Sequence, residues 1–290
     1  MKKFFVALLS SVVLFLGVNN ASAQVAVPQV TTADQVEDVS PLSLGLGVDV
    51  SNSYFFRGVG AAQDTVVLNP TVNLGYNVFN GSDGFVTSFG LQGSTWAVFS
   101  KDGNESGSTE YWYEASVGGG VNVTLSNFVN VAVNYNVYSS PNDSFETVQE
   151  VATTATFFDK SFWNGNKLTS NLANFSGFNP YVTYAYELEG TRGVNEGQYV
   201  EVGVTPGVSV SDNVTVNFPA RVGLGLDGYY GDSGLQFGYV GFGPQVVVPI
   251  ATDVYFTGGV EALYRDEALQ TLDGGSEWEF VGKVGVAFKL

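Results

Sequence analysis

The sequence contains no cysteine and no histidine among its 290 residues. Without cysteine, the chain has no disulfide framework, no thiol nucleophile and no lipidated N-terminal cysteine. Without histidine, it cannot build Ser-His-Asp, Cys-His or His-metal chemistry, which removes the commonest hydrolase, protease and zinc-enzyme mechanisms. We therefore expect no cofactor, no metal site and no enzymatic activity, although catalysis by paired carboxylates alone, for example Glu261 with Glu279, stays open.

Charge is also scarce and one-sided. Charged residues make up 13% of the chain, whereas about a quarter is typical of soluble proteins. The net charge is −17, from 11 Lys and Arg against 28 Asp and Glu. Such a chain lacks the cations that neutralise phosphates, so nucleic acid is not an expected partner.

The first 23 residues have the pattern of a secretory signal peptide. Lys2 and Lys3 precede an apolar run over residues 4–18, and Ala-Ser-Ala follows at 21–23. The apolar run is shorter than the roughly 20 residues that a spanning helix needs, although an uncleaved anchor is an alternative. The polar stretch 24–41 predicts a flexible periplasmic segment before the main domain.

From residue 42 to 290, apolar and polar residues alternate with the period of two that is typical of strands. For example, Val129, Val131 and Val133 alternate with Asn130 and Asn134. The segment at 145–158 has the weakest alternation. Twelve segments are predicted, at 42–56, 66–79, 85–100, 110–125, 128–138, 145–158, 178–189, 198–211, 214–227, 236–250, 253–265 and 277–290.

The connections between these segments alternate in length. Short turns such as Ser126-Asn127 alternate with longer loops such as 101–109, and only 159–177 breaks this rhythm. An even strand number with one apolar face predicts an all-β fold, namely a transmembrane antiparallel up-and-down β-barrel of about 12 strands over residues 42–290. The alternative is a soluble secreted β-sandwich, whose strands also alternate.

Aromatic residues gather near the strand ends, which predicts two girdles at the membrane interfaces. Seven of them, including Phe128 and Phe157, fall at the short-turn end. The set at the long-loop end is Tyr54, Phe55, Phe56, Trp96, Phe99, Tyr111, Trp112, Tyr113, Tyr186, Tyr199, Tyr239, Tyr264 and Trp278.

The stretch Ser53-Tyr54-Phe55-Phe56-Arg57-Gly58-Val59, followed by a strand with Asn69-Pro70, resembles the opening of the TorF-type porins of Gram-negative outer membranes. The alternating end from Phe280 to Leu290 is similar to the terminal strand signal read by the barrel assembly machinery, with Leu in place of the usual Phe. The resemblance implies the bacterial outer membrane, contact with its lipids and a porin-like fold.

If the apolar faces meet lipid, the opposite faces line the lumen. The predicted lumen charges are Asp49, Glu114, Glu187, Glu201, Asp227, Glu261 and Glu279 against Arg221, Arg265 and Lys283. An excess of acids in a low-dielectric wall attracts cations. We therefore predict a channel for passive diffusion of small solutes or ions that is cation-preferring. The alternative is a closed barrel, filled by ion pairs, with a structural or surface-binding role.

Three features carry more local hypotheses. Arg57 ends a predicted strand beside aromatic residues, where it either stacks on a ring, pairs with a lumen acid or pins the first loop to the rim. Arg221 is expected to pair with Glu201 on the preceding strand. Gly223, Gly225 and Gly228 match G-x-G-x-x-G, but no helix follows, so we interpret these glycines as room for close packing inside the barrel.

Overall fold

The computed structural model describes residues 41–101, 111–163, 174–192, 195–211 and 214–290. The predicted signal peptide at 1–23 and the predicted flexible segment up to residue 40 lie outside this range. No helix within the described ranges has the length and apolarity needed to span a bilayer.

Strands make up most of the described chain. They are β1 (Leu42–Ser51), β2 (Tyr54–Phe56), β3 (Val59–Ala62), β4 (Val67–Asn80), β5 (Val86–Ser100), β6 (Trp112–Leu125), β7 (Val129–Ser139), β8 (Val148–Phe157), β9 (Tyr181–Glu189), β10 (Gln198–Val204), β11 (Gly207–Ser211), β12 (Val214–Asn217), β13 (Ala220–Leu226), β14 (Gln236–Phe242), β15 (Gln245–Ala251), β16 (Val254–Arg265) and β17 (Trp278–Lys289). The helices are α1 (Lys160–Trp163) and α2 (Glu267–Asp273).

The wall is a closed antiparallel barrel of 12 strands. β1 pairs with β17 from Gly45 opposite Lys289 to Ser51 opposite Lys283, which closes the ladder. Pro206, Pro219 and Pro244 lie between β10 and β11, β12 and β13, and β14 and β15, so each of these pairs forms one interrupted wall strand. The predicted fold class is confirmed, and the two-sheet sandwich is wrong because one sheet closes on itself.

The two faces of the wall differ in polarity as the alternation predicts. On β7, Val133 and Tyr135 are exposed on the outside, whereas Asn134 and Asn136 are buried inside. β8, which corresponds to the weakest predicted segment, follows the same rule with Thr154 facing inward. The exposed outer face is apolar, as contact with lipid requires.

Replacing Leu74 by arginine tests this assignment of faces. Leu74 is 49% exposed near the middle of the outer face of β4, where a charge is expected to lower the free energy of unfolding in a bilayer by about 2–4 kcal/mol. The neighbouring Asn73 faces the lumen beside Gly45, and Asn73→Arg is the matched control with a much smaller expected loss. Urea titration of protein folded into vesicles measures both, and equal losses would contradict the assignment.

The long-loop end of the barrel is the end that carries the loops after β1, β5, β7, β9, β13 and β16. There the chain departs from the predicted first strand, because β1 ends at Ser51 and not at residue 56. β2 and β3 form a separate two-stranded sheet, Tyr54–Ala62, which we call the plug hairpin. Its aromatic residues Tyr54, Phe55 and Phe56 are buried inside the barrel.

The predicted aromatic girdle at the long-loop end is therefore correct for some residues and wrong for others. Tyr111, Trp112, Tyr186 and Trp278 are exposed. The plug residues and three wall residues are buried within the barrel instead, the wall residues being Trp96, Tyr199 and Tyr239. These rings form the main apolar core, which lies inside the barrel at its long-loop end.

The exceptional connection after β8 begins with an aromatic cluster at the short-turn end. The ring of Phe162 in α1 lies 5.8 Å from that of Phe128 and 5.7 Å from that of Phe157. Asp159 fixes the segment by accepting hydrogen bonds from Trp163 Nε1 at 2.7 Å and Asn179 N at 2.9 Å. These contacts place the segment beside the barrel end, while residues 164–173 lie outside the described ranges.

Candidate functional site

The plug hairpin presents one arginine at its tip. Phe56 pairs with Val59, so Arg57 and Gly58 form a two-residue turn. Both residues have positive φ, 50° and 81°, as type I′ hairpin turns require. Left-handed backbone costs a residue other than glycine about 1–2 kcal/mol, so the contacts made by the Arg57 side chain must offset this strain.

Arg57 occupies a pocket that we call the Arg57 cage, formed by Glu150, Tyr138, Tyr199 and Tyr229. The guanidinium approaches both carboxylate oxygens of Glu150, at 2.5 and 2.7 Å, and donates to the Tyr229 hydroxyl at 3.2 Å. It lies over the Tyr199 ring at 4.4 Å. Tyr138 donates to Glu150 Oε1 at 3.2 Å. Both charged side chains are at most 2% exposed, so this is a desolvated ion pair with one hydrogen bond, a second close contact between its charges and aromatic walls.

A second arginine also lies against the ring of Phe56. Arg192, from the loop after β9, pairs with Glu114 of β6 at 2.8 Å and lies 4.0 Å from the Phe56 ring. Glu114 also accepts hydrogen bonds from Tyr54 at 3.1 Å and Trp96 at 3.2 Å. The plug hairpin thus contacts two ion pairs whose members come from four separate parts of the chain, namely the hairpin itself, β8, the loop after β9 and β6.

Both of these loop arginines remain cationic at any ordinary pH. Burial is the largest single influence on the pKa of Arg57 and lowers it, but Glu150 together with Tyr229 and Tyr138 outweighs burial, so the pKa lies well above its usual value. Burial likewise lowers the pKa of Arg192, and Glu114 together with its neighbouring tyrosines outweighs it, with the same net direction. Neither pair is expected to be broken by deprotonation of its arginine.

Arg265, at the end of β16, ties the hairpin to the wall. Its Nε donates to Gly58 O at 2.8 Å, and its Nη2 donates to Leu269 O of α2 at 3.2 Å and pairs with Asp273. Glu279 lies 3.6 Å away on the neighbouring strand. Asp273 in turn accepts from the backbone N–H of Gly60 at 2.5 Å. One buried guanidinium therefore connects wall, helix and plug.

Glycines in the wall make room for these lumen contacts. Arg221 pairs with Glu261 at 2.7 Å, and not with Glu201 as predicted. A Cβ at Gly241, on the strand between them, would lie 2.7 Å from Glu261 Oε1 and 3.1 Å from Arg221 Nε. The missing side chain lets the ion pair cross that strand, so Arg221 reaches a carboxylate two strands away rather than one on the adjacent strand.

Glu201 is bound by phenols instead. It accepts hydrogen bonds from the hydroxyls of Tyr181, Tyr199 and Tyr239, each at 2.7 Å. The Tyr239 ring lies against Gly223, where a Cβ would approach to 2.2 Å. These glycines thus accommodate flat rings, as the close-packing interpretation predicts, and no helix follows them to bind a nucleotide phosphate.

Most of the predicted lumen charges do face the interior. These residues are Asp49, Glu114, Glu187, Glu201, Arg221, Glu261, Arg265, Glu279 and Lys283. Asp227 does not, because β13 ends at Leu226 and Asp227 adopts a left-handed turn, φ 54°, that leaves it exposed and bonded to Gln198. Glu261 and Glu279 contact different arginines and share no reacting position.

Glu150 and Arg192, which complete the plug contacts, were not predicted from the sequence. Glu150 lies on the strand with the weakest alternation, although it shares its face with Ala152, Thr154 and Thr156, a pattern that could have placed it inside. Arg192 belongs to a loop, and a loop has no periodicity from which to infer a direction. Among the lumen residues of the described ranges, acids still outnumber bases.

Below the plug, the interior wall is lined by small polar residues. Ser94, Ser116 and Asn136 carry buried polar atoms without a hydrogen-bond partner among the described groups. A cavity of about 30 Å³ lies between the plug and the wall, lined by residues that include Asp49 and Lys283. This volume accommodates about two water molecules.

Comparison with solved structures supports the barrel architecture. An outer-membrane channel from Pseudomonas putida F1 superposes with a TM-score of 0.51 and 8% identity, over 90% of this chain and 100% of that chain. The NanC porin gives a TM-score of 0.46 and 10% identity, over 86% and 100% of the two chains. Outer membrane phospholipase A from Escherichia coli gives a TM-score of 0.45 and 12% identity, over 85% of this chain and 92% of that chain. No protein-family model and no curated protein matches the sequence. Because the sequence identity is only 8%, the superposition on the Pseudomonas putida channel shows a shared fold alone.

Proposed function

We propose that this chain is a porin-like channel of the bacterial outer membrane, of the TorF type, that passes small solutes or ions by diffusion. The observation that carries the proposal is a polar lumen inside an apolar exterior. Buried polar atoms such as those of Ser94, Ser116 and Asn136 cost free energy unless they bind a partner, and in this position the available partner is water. A hydrated interior is the physical requirement for conduction.

The shared fold with the Pseudomonas putida channel supports this proposal. So does the apolar exterior, which fits contact with outer-membrane lipids. β17 runs to Lys289 with Phe280, Val284 and Phe288 exposed on its outer face, and we propose that the barrel assembly machinery binds this strand. We also propose that the protein does not act as an enzyme.

Cation preference is part of the proposal. Acids outnumber bases in the described lumen, and a narrow low-dielectric wall focuses their field. The expected result in a planar bilayer under a KCl gradient is a reversal potential that favours potassium. Asp49→Asn, which removes a lumen charge below the plug, is expected to reduce that preference. Glu189→Gln, at an exposed strand end, is the matched control that leaves it unchanged. A reversal potential favouring chloride would contradict this prediction.

A closed barrel with a structural or surface-binding role is the second candidate. The observation that favours it is the desolvated Arg57–Glu150 pair, which lies across the lumen with both side chains at most 2% exposed. The two candidates differ in one measurement. A channel gives rare current steps in the wild type and more frequent ones when the plug contacts are removed, whereas a closed barrel gives no current in either protein.

A further inference from the structure

The Arg57 cage is built like a receptor for a flat cation. It offers a carboxylate with both oxygens available, one ring face at 4.4 Å and one phenol oxygen at 3.2 Å. A planar guanidinium satisfies all three at once, because its donors form a fork and its face stacks on rings. In this structure the chain's own Arg57 occupies the site.

The receptor and its occupant belong to different parts of the fold. Glu150, Tyr138 and Tyr199 lie on the wall strands β8, β7 and β10. Arg57 lies on the plug hairpin, whose two strands pair with each other and not with the wall. Departure of the hairpin would therefore leave most of the cage in place, with an uncompensated carboxylate that favours a replacement cation.

We propose that this cage binds solutes that carry a guanidinium or a similarly flat cationic group, and that such a solute displaces Arg57 and releases the plug hairpin. That release of the hairpin opens a conducting path rests on the proposed channel function, whereas binding of the solute in the cage does not. The proposal assigns a solute class to the lumen and makes the plug a built-in competitor for the same site.

Two features of the chain favour exchange over permanent closure. Arg57 holds a left-handed backbone conformation, φ 50°, which is relieved when the turn relaxes. Outside the cage, the backbone of the hairpin tip is held by two hydrogen bonds, Arg265 Nε to Gly58 O at 2.8 Å and the Tyr230 hydroxyl to Arg57 O at 2.7 Å, whereas burial of the rings of Tyr54, Phe55 and Phe56 holds the strands of the hairpin. A tethered group competes at an effective concentration of about millimolar, so a free solute must reach a similar concentration to displace it.

A single divalent metal ion fits the cage less well. The described residues hold no group of three or more His, Cys, Asp or Glu side chains that could hold a metal ion, and hard cations prefer several oxygen ligands around them. One carboxylate between aromatic faces instead selects a weakly hydrated organic cation.

Binding is tested by rescue of Arg57→Ala with ethylguanidinium, in detergent and without any measurement of current. The expected result is a saturable rise in the melting midpoint of Arg57→Ala, half-complete at millimolar ligand, with no such rise for Arg57→Ala/Glu150→Gln or with equal sodium chloride. Arg57→Gln repeats the test if the alanine variant does not fold. Absence of a rise, or an equal rise in the double variant, would overturn the proposal.

Release of the plug is tested on the wild type in a planar bilayer. Ethylguanidinium added at the long-loop side is expected to increase the open fraction severalfold, whereas the same concentration of sodium chloride does not. If neither the wild type nor Arg57→Ala conducts, the proposed channel function fails while rescue by ethylguanidinium still stands. If Arg57→Ala conducts but ethylguanidinium neither rescues it nor opens the wild type, the inference fails and the channel remains.

Discussion

Replacing Arg57 by alanine is expected to raise the time-averaged current through the barrel roughly a hundredfold. Arg57 and Glu150 form a desolvated pair, and removing one partner of such a pair costs about 3 kcal/mol at the lower end of measured values. We take the lower end because Tyr138 still donates to Glu150. Since about 1.4 kcal/mol changes an equilibrium constant tenfold, the fraction of molecules with the plug released rises by about two orders of magnitude.

Single-channel recording in planar bilayers checks this result. Arg57→Lys keeps the charge but loses the fork geometry and much of the stacking, so its current is expected to lie between those of the wild type and Arg57→Ala. Lys101→Ala removes the same charge at an exposed position near the loops and is the matched control. An unchanged current in Arg57→Ala would show that the hairpin does not limit conduction.

Replacing Arg265 by alanine is expected to have the largest effect on stability, a loss of about 3–5 kcal/mol in the free energy of unfolding. The substitution leaves Asp273 without its cation and deprives the carbonyl oxygens of Gly58 and Leu269 of their donor. Urea titration of the protein in vesicles measures this loss. The plug hairpin and α2 lose their common attachment to β16 at the same time.

Trypsin provides a second readout for the same variant, because it cleaves after arginine. Arg57 is buried in the folded plug, so cleavage at this position reports release of the hairpin and is expected to accelerate in Arg265→Ala. Arg221→Ala, which removes a wall ion pair that is about 15% exposed and whose partner, Glu261, belongs to β16 and not to the plug hairpin, is the comparison, with a smaller loss and no faster cleavage. Equal behaviour of the two variants would contradict the role assigned to Arg265.

The wall of the barrel was predictable because strand alternation is a local property. On β7 each side chain points to the face opposite its neighbour's, so Val133 and Asn134 reveal outside and inside without knowledge of any other strand. All twelve predicted segments correspond to wall strands, including the weakest at β8. The proline interruptions and the early end of β1 were not foreseen, because an aromatic run continues the strand pattern in sequence while the chain turns inward in space.

The girdle prediction is wrong for the aromatic residues that point into the lumen. It used only the position of each residue along its strand and not the face to which its side chain points. Tyr199 has the same parity as Glu201, two residues later, and both point into the lumen. Position near a strand end fixes how far a ring lies from the membrane centre, whereas parity fixes the face. Trp112 and Trp278 satisfy both conditions and are exposed.

By itself, the sequence determined the number of strands, the apolar and polar faces and the excess of acid in the lumen, because each depends on neighbours along the chain. The tertiary structure alone decided that the lumen is plugged. Arg57 and Glu150 are 93 positions apart, Arg192 and Glu114 are 78 apart, and Arg265 reaches Gly58 across 207. Such pairs form only when barrel closure brings distant strand ends around one hairpin, and no local pattern records which charges then meet.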